Sequence, residues 1–507
     1  MDQTFMKTRK ILPLVISMAL PMAISMLVNS LYNIIDSYFV AKISEEAMTS
    51  LSLVYPVQNL ITSVAVGFGI GINAAISYYL GAKDSKMADA AATEGLLHSL
   101  IQGFILSIVT IAVMPAFLRF FTENDTVINL ALDYSRIAFS GAVIVSSQIA
   151  LEKIFQAVGK MKVSMFAMMA GFITNIVLDP VFIFSFKMAI KGAAIATVIG
   201  QCVTLAIYII VFKKEELGVS FDFSDMREKR KIVGRLYSVG IPGMLNMALP
   251  SVLITALNKI LSIDAYVLIL GSYYKLQTFL YLTVNGIVQG IRPIIGYNYG
   301  AKELKRVREI FKTALVLSAI VMLLGTVLCQ TIAENLIGIF IKTPYIRDEG
   351  AQALRIISLG FIISSVSVIS CGALEGLGKG LPSLIISCLR YVFIMIPLAA
   401  GFKVLFGVRG VWSAFPVTEL ILAIASIAII KLSLNKADVK TKKNSCFEND
   451  KKLRSDNKGV KDQKQAKKPH RGRYNNDYSP KYSDPYDIYD KAKEHARTIK
   501  KRDKNTE

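Results

Sequence analysis

Apolar residues dominate twelve stretches of the chain, at 11–41, 47–81, 91–120, 127–158, 163–187, 190–212, 236–262, 265–299, 309–335, 350–377, 381–405 and 409–435. Charged or turn residues bound each one. Several exceed the roughly 20 residues a helix needs to cross the hydrocarbon of a bilayer, so the pattern predicts tilted membrane helices that run past the lipid. The first stretch follows Lys7, Arg9 and Lys10, as a secretory leader would. Its length, with Pro13, Pro21 and Asn29 inside it and no small-residue cleavage motif, predicts a retained first helix instead. The expected fold class is an all-α polytopic membrane protein of twelve transmembrane helices.

The two halves of this pattern repeat. Tyr55-Pro56-Val57-Gln58 returns as Tyr274-Lys275-Leu276-Gln277, Gly67 and Gly71 as Gly286 and Gly290, Gly81-Ala82-Lys83 as Gly300-Ala301-Lys302, and Gly159-Lys160 as Gly378-Lys379. Every pair is offset by 219 residues without a gap. Such a repeat predicts two six-helix lobes related by a parallel pseudo-twofold axis along the membrane normal. The expected boundaries are 1–212 for the N-terminal lobe, 213–235 for a cytoplasmic linker, 236–435 for the C-terminal lobe and 436–507 for a disordered basic tail.

Composition sharpens this picture. The 507 residues are 53% hydrophobic and 19% charged, with a formal net charge of +21. The tail 436–507 holds 22 Lys and Arg against 12 Asp and Glu, and only six Leu, Ile, Val or Phe. That is too little apolar area to fold on its own. Its tyrosines and arginines resemble an RNA-stacking surface, but contact with anionic lipid accounts for them better, so no nucleic acid is expected as a partner. In the body, Lys and Arg concentrate in the loops on the N-terminal side, notably between 213 and 235 and between 302 and 308. The bias places both termini in the cytoplasm and the body in the cell (inner) membrane. The five cysteines show no metal-ligand spacing, and His98 is the one histidine of the body. No enzyme, disulfide framework or cofactor is expected, and the chain reads as a monomer.

Several segments resemble the MATE (multidrug and toxic compound extrusion) family: Pro21, Asp36-Ser37-Tyr38-Phe39-Val40, the Tyr79-Leu80-Gly81-Ala82-Lys83 ending of the second stretch, Asn175 to Asp179-Pro180, and Gly290 to Gly300. The resemblance covers roughly residues 10–435. It implies a twelve-helix, two-lobed exporter of lipophilic, often cationic small molecules, driven by H⁺ or Na⁺. A lipid-linked precursor flippase of the related superfamily is the alternative, disfavoured by twelve spans and few mid-span cations. A major-facilitator carrier lacks its Gly-Asp-Arg loop here.

The residues lead to a site by their own chemistry. Carboxylates inside a span are costly and line cavities or ion paths. Counting 1.5 Å per residue from the outer helix ends puts Asp36 about 7 Å deep, Asp179 about 12 Å and Thr197 about 9 Å. Asn175 lies one turn from Asp179 on the same face. Two carboxylates with amide and hydroxyl oxygens suit Na⁺ at Asp36 and Asp179. A close pair would instead hold a proton, through repulsion and desolvation. In MATE proteins the matching positions form the N-lobe cation site, so the resemblance also assigns Asp36, Asn175, Asp179 and Thr197. Another MATE branch uses C-lobe acids, whereas here Pro250 stands at the seventh-helix position and no acid precedes Glu375 in the tenth. Tyr55, Gln58, Tyr274, Lys275 and Gln277 are expected to line the substrate cleft between the lobes. Arg292 reads as a helix-end cap or a lipid-phosphate contact, Glu375 as structural, and Glu419 as a candidate for the cavity wall.

Overall fold

The computed structural model describes residues 3–222 and 226–435, with 226–231 as backbone only. The basic tail lies outside the described residues. Twelve long helical elements follow one another, and there is no strand among the described residues. They are α1 (Ile11–Ala41), α2 (Glu45–Gly81), α3 (Ser85–Phe121), α4 (Asp125–Ser140 and Ala142–Ala157, bent by 44°), α5 (Met161–Ser185) and α6 (Ala189–Lys214). The second set is α7 (Met226–Leu261), α8 (Asp264–Gly300), α9 (Leu304–Thr331), α10 (Pro344–Ser358 and Phe361–Gly376, bent by 54°), α11 (Gly380–Phe406) and α12 (Val408–Asn435).

Eleven of these are long and apolar enough to span a bilayer, each bent pair counted once. The twelfth, α8, matches α2 in length but carries Lys275, Gln277, Asn285, Gln289 and Arg292, which dilute its apolar character. Lipid-facing stripes are plain on the surface. On α1 the exposed apolar residues are Leu12, Ile16, Leu20, Ile24, Leu27, Leu31 and Ile34, spaced three or four apart, so one face of the helix is apolar and outward.

Local chemistry starts and stops the helices. Ser44 and Asp84 cap α2 and α3 by accepting from Ala47 and Met87 backbone N–H groups, each at 3.1 Å. The α2 and α8 ends share one closing geometry. Asp84 N–H bonds to Tyr79 O, and Glu303 N–H to Asn298 O, both at 2.9 Å, across a left-handed Lys83 or Lys302 at φ 61°. This is the six-to-one bond of a Schellman stop. Each residue is carried onto its mate by the 219-residue offset.

The same offset governs how the halves meet. Gly67 and Gly71 of α2 lie against the Leu236–Met244 stretch of α7, and Gly286 and Gly290 of α8 lie against Met18–Ala23 of α1. Gly81 abuts the Tyr297 carbonyl, and Gly300 abuts the Tyr78 carbonyl. A side chain at any of these positions would push backbone off backbone. The first half of α1 thus joins the core of the C-terminal lobe, while Ile232 and Leu236 of α7 join that of the N-terminal lobe.

We call the membrane side bearing the first residues the near face. There Gln3 donates to Leu217 O at 2.8 Å, Asn298 donates to Met6 O at 3.0 Å, and Lys7 pairs with Glu303 at 2.8 Å. Toward this face α2 is buried without a break from Gly67 to Ser77, and α8 nearly so from Gly286 to Asn298. Toward the far face both helices become exposed. The lobes therefore meet near the chain's start and part on the opposite side. The segment expected to be linker is shorter than 213–235: α7 already begins at Met226, and Leu217 and Val219 pack into the N-terminal lobe. Ser220 and Asp222 N–H groups bond to Asp89 and Thr93 of α3.

Candidate functional site

The four residues predicted to form a cation site come together. Asp36 sits five residues before the end of α1, and Asp179 one residue before Pro180 in α5. Their carboxyl groups lie within hydrogen-bonding reach of each other. Asp36 is 8% exposed and Asp179 fully buried. Asn175, one turn before Asp179, donates to Thr197 Oγ1 at 3.3 Å, and the Thr197 hydroxyl donates to Ala193 O at 2.9 Å. Proline lacks an N–H, so Pro180 leaves the Ile176 carbonyl without its helical donor. Past it α5 widens into a π turn over Val181–Ser185, a distortion common at functional sites.

What defines the site chemically is a surplus of acceptors. Asp36 Oδ1, both Asp179 oxygens and Asn175 Oδ1 are buried with no donor in reach among the described residues. Two carboxylates in contact in a low-dielectric interior are stable only if they share a proton or flank a cation. The surrounding oxygens extend the same set. Tyr32 and Tyr134 hydroxyls lie within hydrogen-bonding reach of Thr197, and Tyr134 is also within reach of Gln58. Tyr32 stacks on Phe172, ring centroids 5.2 Å apart, which fixes its rotamer. Neither tyrosine stands out in the sequence. The available signal was that Tyr32 precedes Asp36 by one turn.

The residues expected in the cleft divide. Gln58 joins the acid cluster through Tyr134. Tyr55, 61% exposed, stands on the uncovered half of α2. Lys275 is exposed on the matching half of α8, its ammonium 5.4 Å from the Phe340 ring, and Gln277, two residues on, is half-buried. Tyr274 packs against the C-terminal core beside Tyr273.

Three charged groups take places that sequence reading did not give them. Arg292 neither caps a helix nor points to lipid. It grips Glu375 through Nε at 2.8 Å and Nη2 at 2.6 Å, and Glu375 in turn accepts from Asn246 and Ser383. Glu419 pairs with Arg390 at 2.5 Å. A third cluster joins the lobes: Lys153 of α4 reaches Glu152 at 2.7 Å, Gln156 at 3.2 Å and Gln289 of α8 at 3.3 Å. Gln156 also donates to Met22 Sδ and Gln289 to Met26 Sδ of α1. The adjacent charges at 152 and 153 do not stand out in the sequence. The bend in α4 and the approach of α8 bury them. Among the described residues no group of three His, Cys, Asp or Glu is placed to hold a metal.

A membrane body of two lobes on one repeat, parted at one face, is the architecture of a membrane transporter. The chain belongs to the MatE family, whose model matches residues 21–181 and 264–400. Curated relatives include the multidrug export protein MepA of Staphylococcus aureus (strain N315), 26% identical over 430 residues, which cover 83% of this chain and 94% of MepA. The MepA of Staphylococcus saprophyticus is 26% identical over 433 residues, 83% of this chain and 95% of the relative. Among solved structures, MATE in complex with MaL6 superposes with a TM-score of 0.81 at 23% identity, over 86% of this chain and 99% of that one. An outward-facing multidrug resistance MATE transporter of the MOP superfamily gives 0.81 at 24% identity, over the same shares. The twelve-helix, two-lobed architecture is that of these proteins.

Proposed function

We propose that the protein is a cation-coupled antiporter that exports lipophilic, often cationic compounds by alternating access. The observation that carries this reading is the Asp36–Asp179 contact, two buried carboxyl groups three of whose four oxygens are buried with no donor among the described residues. H⁺ or Na⁺ entering from the far face neutralises them. Asn175, Thr197 and Gln58 then supply neutral oxygens around the ion. With the positive-inside bias, the near face is cytoplasmic and the far face external.

Neutralising the pair changes the packing of α1, which carries Asp36 at one end and is held in the C-terminal core at the other. One helix thereby feels both the ion and the opposite lobe. Drug leaves from the cleft as the ion enters, and the return step brings new drug from the cytoplasmic side. By linkage, drug and ion must oppose each other through the two states. Support for drug as cargo comes from the MepA relatives, named as multidrug export proteins, and from the exposed aromatic and amide side chains on the far halves of α2 and α8.

The test is transport in proteoliposomes of the full chain, loaded with ethidium and given first a pH gradient, then a Na⁺ gradient. Gradient-driven ethidium movement by the wild type and its loss in Asp179→Asn are expected. Full transport by Asp179→Asn would overturn the assignment.

A further inference from the structure

In the N-terminal lobe α5 and α6 cross at two glycines. A Cβ on Gly171 would lie 2.6 Å from Gly200 O, and one on Gly200 would lie 2.7 Å from Gly171 O. The helices there touch backbone to backbone. The 219-residue offset carries these positions onto Arg390 of α11 and Glu419 of α12. Where one lobe has no side chains at all, the other has an ion pair. Arg390 Nη2 lies 2.5 Å from Glu419 Oε1, with each side chain 13% exposed.

The pair is built in from several sides. Ser367 of α10 donates to Glu419 Oε2 at 3.3 Å. The Tyr281 hydroxyl of α8 is within hydrogen-bonding reach of Arg390 and 2.6 Å from Ser364 Oγ. Around Arg390, α11 runs as a π turn, Leu389–Ile394, while the matching stretch of α5 is regular α-helix. The wider turn accommodates a guanidinium where glycine sufficed. The titratable groups that face the pair are Tyr273, Tyr274 and Tyr281 of α8, Cys371 of α10 and Tyr391 of α11. None is charged at neutral pH, so Arg390 is the counter-charge of Glu419.

The two lobes thus treat a buried carboxylate in opposite ways. Asp36 and Asp179 have no cationic side chain beside them among the described residues, whereas Glu419 has one tethered to the chain. We propose that Arg390 is a fixed counter-cation, taking in the C-terminal lobe the place a transported cation takes in the N-terminal lobe. Glu419 is then a latent site for a small monovalent cation, closed in the wild-type chain, and coupling runs through one lobe. The inference rests on reading Asp36 and Asp179 as the coupling site. A guanidinium neither dissociates from the chain nor gives up its proton, so the pair persists through the cycle. Without it, Glu419 is a buried carboxylate that must take a proton or a cation.

The experiment counts cations on the purified full-length chain, as protons taken up on acidification and as ²²Na⁺ bound at neutral pH. Wild type should take up one equivalent, lost in Asp179→Asn. Arg390→Met should gain one more, and the gain should persist in the Arg390→Met/Asp179→Asn chain. Arg390→Lys, which keeps the cation, should gain none. Arg390→Met/Glu419→Gln, neutral at both positions and so independent of whether a lone buried carboxylate is tolerated, should return to the wild-type count. No gain in a folded Arg390→Met chain overturns the proposal. So does a neutral double variant that binds one equivalent fewer than wild type, because Glu419 would then already serve as a site. A wild-type equivalent that survives Asp179→Asn would instead overturn the N-lobe coupling site, which separates the two failures.

Discussion

The carboxyl groups of Asp36 on α1 and Asp179 on α5 lie within hydrogen-bonding reach of each other, 143 residues apart in the chain, and three of their four oxygens are buried with no donor among the described residues. Each is tolerable in the interior only through an occupant they share. Asp36→Asn and Asp179→Asn should each lower ion-driven efflux by about tenfold or more, because a carboxylate–cation contact is worth about 1.5–3 kcal/mol. The double variant should be little worse than either single one, since the two act as a unit. Vesicle efflux at matched expression measures both effects.

The nature of the occupant can be read from stability. A ligand bound by the folded state alone stabilises it by about 2.7 kcal/mol at one hundred times its dissociation constant. If Na⁺ fills the pair, melting of the detergent-purified chain should shift upward with NaCl but not with choline chloride. If a proton fills it, the rise should come on mild acidification and be indifferent to Na⁺. Asp179→Asn should be flat in the arm to which the wild type responds.

Thr197 holds its neighbours by one oxygen that accepts from Asn175 and lies within reach of Tyr32 and Tyr134. Thr197→Val keeps the shape and removes that acceptor, leaving buried donors unsatisfied at about 1–3 kcal/mol. The expected outcome is weaker cation dependence, read as a right shift of roughly tenfold in the ion concentration that half-saturates efflux, with the chain still folded. Thr197→Ser should stay near wild type.

Glu152 and Lys153 are an adjacent, buried pair at the lobe boundary. Removing one partner strands the other charge, at about 3–5 kcal/mol, whereas a neutral pair of similar size costs little. Glu152→Gln and Lys153→Met alone should therefore lower the melting temperature clearly. Glu152→Gln/Lys153→Met should recover most of the loss. Additive losses in the double variant would contradict the pairing.

Gly81 and Gly300 close the near face by mirrored contacts with the carbonyls of Tyr297 and Tyr78. A methyl group there must displace backbone, so Gly81→Ala and Gly300→Ala should each destabilise by about 1–3 kcal/mol. The repeat predicts similar losses for the two. Cysteine accessibility at Ala82 and Ala301, in chains stripped of native cysteines, should rise in both variants if the near face loosens.

Much of this was legible along the chain because a membrane simplifies the code. A spanning segment must be helical and largely apolar, so eleven of the twelve expected stretches match the observed helices within about six residues at each end. Only α7 starts well before its apolar run, at Met226, because nothing in lipid thickness limits a helix that continues into water. The repeat was equally readable, since glycine is required where the helices of the two lobes meet backbone to backbone, and those lobe-joining sites fall at one offset. The acid cluster was found because ionised side chains are rare at that depth, and Asp36 and Asp179, with the neutral Asn175 and Thr197, could be placed by counting along their helices.

Side-chain partners were not legible. Arg292 reads in sequence as a charge near a helix end, Glu152 and Lys153 do not stand out, and helix position alone leaves the direction of such side chains open. The bends in α4 and α10 and the crossing of α11 with α12 decide that they face one another. The sequence by itself determined the elements, the twofold plan and which carboxylates lie deep inside the spans, because each follows from local periodicity and the cost of burying charge. Tertiary structure alone decided which of those charges are neutralised within the chain and which are left for an ion. That depends on distances between helices far apart in sequence, which no local pattern encodes.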